Sequence, residues 1–180
     1  MGNSWRFALS TIFATGAALG IASHARAAAP AVNALADRVV IRKTDHTMEL
    51  MKGETSLAKY TVALGPGGAG PKTHEGDKVT PVGRYHVVSR SPSVFHIFMR
   101  LDYPNAADRT RFAELKRDGK ISKDATIGGD VGIHGAPAQA AWKHVHKTVD
   151  WTLGCIAVDD EEIEKVAAMV GDGTVVDIED

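Results

Sequence analysis

The chain has 180 residues, 44% of them hydrophobic and 24% charged, which is enough for one domain with a real core and too little for two large ones. Lys and Arg number 21 against 22 Asp and Glu, giving a formal charge of −1, and no basic block or aromatic-interleaved basic patch interrupts the mixture. That balance excludes a nucleic-acid surface built on charge.

At the N-terminus, Arg6 precedes an apolar run from Phe7 to about Ile21, followed by small residues with an Ala25-Arg26-Ala27 pattern. This is the layout of a secretory signal peptide, residues 1–27, with cleavage expected after Ala27. The run is shorter than the ~20 apolar residues a spanning helix needs, and Ser10, Thr11, Thr15 and Gly16 interrupt it, so no stable membrane insertion is expected after cleavage. Residues 28–36 read as an Ala-rich linker to a single domain over 37–180.

Three runs with strand-like alternation follow, at about Arg38 to Arg42, Thr47 to Met51 and Leu57 to Leu64, with turn residues Thr44-Asp45 and Lys52-Gly53 between them; they predict an antiparallel meander. Gly65 to Gly83 is too rich in Gly and Pro for a regular element, and long loops of this kind are usually functional. Strands are predicted over Arg84 to Ser89 and Val94 to Leu101. Tyr103-Pro104-Asn105 then stops the strand and starts a helix over Asn105 to Arg117, closed by Gly119. A short apolar approach leads to His134, and Ala136 to Trp151 reads as loop with a helix as an alternative. From Asp159, leading acids and Ile163, Val166, Ala167 and Val170 at helical steps predict a helix that ends at Gly171 and Gly173. Thr174 to Ile178 closes the chain with a strand. The sum is mostly β with a few helices, a sandwich- or barrel-like sheet.

Cys155 is the chain's only cysteine. In an exported protein it has no internal disulfide partner, and a free thiol there is open to oxidation. A buried cysteine acting as a small hydrophobe is the plain alternative. A cysteine nucleophile needs a base, backbone N–H donors for an oxyanion, and access to substrate. Gly154 before it permits a tight turn, and the Gly154 and Cys155 amides are candidate oxyanion donors. His134, between Ile133 and Gly135 at the end of an apolar strand, is the candidate base. His144 and His146 in the Lys-His-Val-His-Lys stretch would share a strand face and suit a metal, but no carboxylate or cysteine pattern completes a site. No metal or other cofactor is implied, since thiol acyl transfer requires none.

Ile133-His134-Gly135, followed after seventeen intervening residues from His134 by Thr152-Leu153-Gly154-Cys155, resembles the signature of the L,D-transpeptidase catalytic domain (YkuD-type fold). Gly70-Pro71-Lys72, the stretch from Gly76 to Tyr85, Tyr103 to Arg109 and the blocks around His134 and Cys155 are similar to its YafK-like branch. The resemblance implies Cys155 as nucleophile, His134 as base, the Gly154 and Cys155 amides as oxyanion hole, the Gly135 carbonyl orienting the imidazole, and Thr152 as the Ser or Thr of the motif. It also implies peptidoglycan stem peptides as partners, and a periplasmic or otherwise exported, wall-associated enzyme that forms or remodels stem-peptide links. An L,D-endopeptidase or carboxypeptidase and a non-catalytic wall-binding module are the alternatives. Two positions depart from the commonest pattern: Leu153 replaces a second histidine, and Ala157 replaces an Arg or Asn suited to a substrate carboxylate. Trp142 and Trp151 are expected either to line a cleft or simply to pack.

Overall fold

A computed structural model describes Met1 and residues 36–180. The signal peptide expected at 1–27 and the linker at 28–36 lie outside the described residues, save for Met1 and Ala36.

The meander forms as β1 (Arg38–Arg42), β2 (Thr47–Lys52) and β3 (Thr55–Thr61), each pair antiparallel. Gly53, at φ +55°, makes the β2–β3 turn so tight that β3 starts two residues before the expected Leu57. It also ends earlier, because Val62 to Leu64 leave the ladder for the interior. β4 (Gly83–Ser93) runs longer than expected and β5 (His96–Leu101) starts two residues later, with Pro92 paired to Ile97 and Val94 exposed in the turn. β6 (Gly132–His134), β7 (Ile156–Ala157) and β8 (Val175–Glu179) complete one eight-stranded sheet in the order β3-β2-β1-β8-β4-β5-β6-β7. β4 joins its two halves, pairing with β8 through Gly83–His86 and with β5 from Val87 onward. The outer edges then meet: Ala63 and Ala157 exchange backbone hydrogen bonds of 2.9 and 2.8 Å, which curls the sheet toward the expected barrel-like closure.

The core follows the period-two alternation of the strands: Val39, Ile41, Met48, Leu50, Tyr85, Val87, Met99, Leu101, Val176 and Ile178 are all buried. Helix α1 (Ala106–Arg117) is capped by Asn105, whose side chain accepts from the Ala107 and Asp108 amides. Helix α2 (Asp160–Met169) lays Ile163 and Val166 into the core, and Glu162 accepts from the Asp159 amide at its start. The segment 136–151 is turns with one short 3-10 piece (His146–Thr148).

Candidate active site

β6 and β7 are parallel neighbours, pairing Ile133 with Ile156 and His134 with Ala157. One residue back along that register, Cys155 falls beside Gly132. Alternate residues of a strand share a face, so Cys155 and His134 lie on the same side of the sheet. The Gly132 N–H approaches the thiol, and Sγ donates toward the Asp130 carbonyl oxygen at 3.5 Å.

His134 is buried and boxed by aromatic rings. Phe95 stacks on it at 4.5 Å between centroids, Phe98 lies near-parallel at 6.1 Å, and Trp151 meets it edge-on at 5.7 Å. Nδ1 is 2.8 Å from the Gly135 carbonyl oxygen. A proton donated there leaves the lone pair on Nε2. Burial pushes the imidazole pKa down, the Gly135 bond opposes it, and His146 adds to the fall, so the ring is held in its basic form near neutral pH. Position 135 must be glycine: a Cβ there would stand 2.6 Å from both an Asp160 carboxylate oxygen and the Phe95 carbonyl.

The cysteine turn is equally constrained. Gly154 has φ +129°, and a Cβ on it would meet the Val79 carbonyl at 2.8 Å. Buried Thr152 braces the turn, its hydroxyl donating to the Cys155 carbonyl at 2.7 Å and accepting the Gly154 N–H at 3.2 Å. The Gly154 amide, expected to face an oxyanion, therefore faces Thr152 instead. Burial pushes the Cys155 thiol pKa up, while the Gly132 N–H and the cations Lys72 and Arg100 pull it back.

His144 is exposed and His146 buried, and they lie on a turn and a short 3-10 piece, so they are not the strand-face pair that their spacing suggested. His146 Nε2 contacts Asp159 at 2.9 Å, and its ring meets Trp151 edge-on. Trp151 belongs to the site, whereas Trp142 is exposed. Leu153 is exposed. Ala157 is wholly buried in β7. Phe95, Phe98 and Lys72 are the members of this environment that local sequence pattern did not single out, although Lys72 stood inside a quoted block; His146 was singled out only as a metal candidate. Beside the His134 turn, a pocket of about 380 Å³ opens between segment 136–151 and the start of α2, lined by Ala136, Lys143, His144, His146 and Glu161 among others.

A family model described as the L,D-transpeptidase catalytic domain (YkuD) matches residues 36–178. Among solved structures, Pgp2 of Campylobacter jejuni, described as a helical cell shape determining protein, is 26% identical with a TM-score of 0.59, over 79% of this chain and 47% of Pgp2. Bd1075 of Bdellovibrio bacteriovorus is 21% identical with a TM-score of 0.52, over 81% of this chain and 48% of that one. A mutant L,D-transpeptidase of Enterococcus faecium is 16% identical with a TM-score of 0.50, over 79% and 49%. The last two show likeness of fold. The chain spans about half the length of these neighbours. No curated protein matches it.

Proposed function

The chain belongs to the L,D-transpeptidase catalytic domain family, and on that footing we propose that it performs acyl transfer on peptidoglycan stem peptides, with Cys155 as nucleophile and His134 as its base. The observation that carries this reading is the parallel pairing of β6 and β7, which sets the thiol and a buried imidazole on one face with Nδ1 tied to Gly135.

In the first half-reaction the Cys155 proton passes to His134 Nε2, and the thiolate attacks the amide carbonyl that follows the L-centre of the stem's diamino acid. The Cys155 amide receives the oxyanion, while Thr152 keeps the turn rigid through the Gly154 amide. The imidazolium then protonates the departing D-amino acid nitrogen, leaving a thioester on Sγ. In the second half an acceptor amine, or water, attacks the thioester carbonyl and regenerates the thiol. Phe95, Phe98 and Trp151 exclude water around the imidazole and fix its plane. Such an enzyme works outside the cytoplasm, on the wall. Pgp2's description as a cell shape determining protein makes wall remodelling the physiological setting we favour.

The test is to incubate the protein with disaccharide tetrapeptide and read the products by mass. Crosslinked dimers mark an amine acceptor, tripeptides mark water, and unchanged substrate would return the chain to a wall-binding role. Cys155→Ala should lose at least ~10³-fold in turnover while keeping its fold, and full activity in that variant sinks the mechanism.

A further inference from the structure

Lys72 is buried in the Gly- and Pro-rich loop, and its ammonium reaches the cysteine turn: a Cβ on Gly154 would stand 3.6 Å from Lys72 Nζ. Nζ bonds Asp77 Oδ1 at 2.5 Å, with the two side chains only 4% and 9% exposed. Asp77 is itself pinned. Its Oδ2 accepts the Thr73 N–H at 2.7 Å, the Thr73 hydroxyl at 3.1 Å and the His74 N–H at 3.2 Å, and its Oδ1 accepts the Val79 N–H at 3.0 Å. Those bonds would tie down the loop without any cation, and taking an ammonium out of water costs several kcal/mol. A buried cation retained against that cost, beside a half-buried thiol, calls for a role at the thiol.

We infer that Lys72 is an electrostatic positioning residue for Cys155: its ammonium, fixed by Asp77 beside the Gly154 turn, favours the thiolate over the thiol and the oxyanion that the thiolate's attack creates. The inference rests on the reading of Cys155 as nucleophile. The thiol proton goes to His134 Nε2, and Lys72 takes no part in the proton transfer. The other charges toward the thiol are fewer or screened. Arg100 on β5 is 44% exposed and paired with Asp130, while His134 on β6 is held neutral by burial. β7 offers Ala157, which is buried and carries no charge. The loop thus supplies the positive charge that no side chain two positions beyond the cysteine can supply.

Iodoacetamide alkylation of Cys155, the sole cysteine, followed by mass spectrometry across pH, reads the thiolate directly and needs no turnover. Lys72→Met should move the profile to higher pH and slow alkylation at neutral pH roughly tenfold. Lys72→Arg should restore most of the rate. Arg100→Met should slow it less than about threefold, because solvent screens that charge. Lys72→Met alone strands the Asp77 carboxylate, so the pair Lys72→Met with Asp77→Asn, which leaves no unpaired charge, serves if the single variant unfolds; it should shift the profile in the same direction. A folded variant of either kind with the wild-type profile overturns the inference, as does Arg100→Met moving the profile as far as Lys72→Met. Failure of the function reading looks different: the profile shifts with Lys72 while tetrapeptide stays intact.

Discussion

Two irregular segments flank the Cys155 face, and they are held in opposite ways. In 65–83 exposed ties reach from Gly70 to Asp180 and from Glu75 to Thr126, but the contacts of the loop on itself are inside: the Gly65 N–H meets the Thr80 hydroxyl at 3.0 Å in a buried bond, the Gly67 N–H meets the Lys78 carbonyl, and the Lys72–Asp77 pair is nearly out of water. In 136–151 the ties are at the surface. Lys143 pairs with Asp160 and Lys147 with Asp159 and Glu162, while Trp142, Val145 and Val149 are about half exposed. Ala136 and His146 anchor that segment from within, and at its end Asp150 accepts the Leu64 N–H at 2.8 Å while Trp151 packs against His134. Buried pairs admit one geometry because breaking them strands a charge in low dielectric, whereas exposed pairs exchange with water at little cost. The first segment is therefore a fixed wall beside Cys155, and the second is the side on which ligands of different shape can be met.

The sharpest way to break this contrast is Asp77→Asn. It strands the Lys72 ammonium and weakens four hydrogen bonds, and we expect it to cost about 3 kcal/mol in denaturant unfolding. A loss below ~1 kcal/mol would mean that the loop is not anchored from within. The same residue sets an acid limit. Burial alone would raise the Asp77 carboxyl, but the Lys72 bond and the Val79, Thr73 and His74 amides outweigh it and hold the pKa at about 2. With the folded value below the unfolded one, its contribution is complete above about pH 4 and is lost as pH falls toward 2. In that window the wild type should lose stability more steeply than Asp77→Asn.

A smaller effect is expected from His134. Its folded pKa lies below the ordinary histidine value because of burial, so below about pH 6.5 the unfolded chain takes up the proton first and stability declines as pH falls. Melting temperatures measured between about pH 7.5 and 5.5 should fall in the wild type and fall less in His134→Gln. Equal slopes would mean the aromatic box does not hold the ring neutral.

What the sequence made legible follows the same division between periodic and non-local order. β1, β2, α1 and α2 stand within a residue or two of their predicted bounds, since alternation, the Asn105 cap and the acidic start of α2 are local signals. β7 has two residues and no alternation of its own; β6 on one side and Ala63 on the other supply its partners. The strand status of Pro92 depends on Ile97 across the hairpin. At the site, Cys155 and His134 were legible through their glycines and their spacing. Lys72 was not, because nothing local distinguishes a lysine in a glycine-rich loop from a solvated one until Asp77 folds onto it. Thr152 was legible as a motif position but not as the partner of the Gly154 amide, which depends on the sharpness of the turn.

The least disruptive test lies in the outer segment. Lys143 bonds the carboxylate of Asp160 at 2.5 Å, and Asp160 also accepts the Ala136 N–H next to Gly135, so a ligand that competes for the ammonium would touch the His134 turn through one carboxylate. The ammonium is open to water and the pair is screened, so Lys143→Ala should leave the melting temperature within about 2 °C of wild type and the rate of thioester formation unchanged. Because Lys143 lines the pocket beside that turn, the variant should instead alter the second half-reaction, changing the ratio of crosslinked dimer to tripeptide at fixed donor concentration. A slowed first half-reaction with an unchanged ratio would place the two segments in each other's roles: the outer one holding the geometry of Cys155, and the inner one admitting the acceptor.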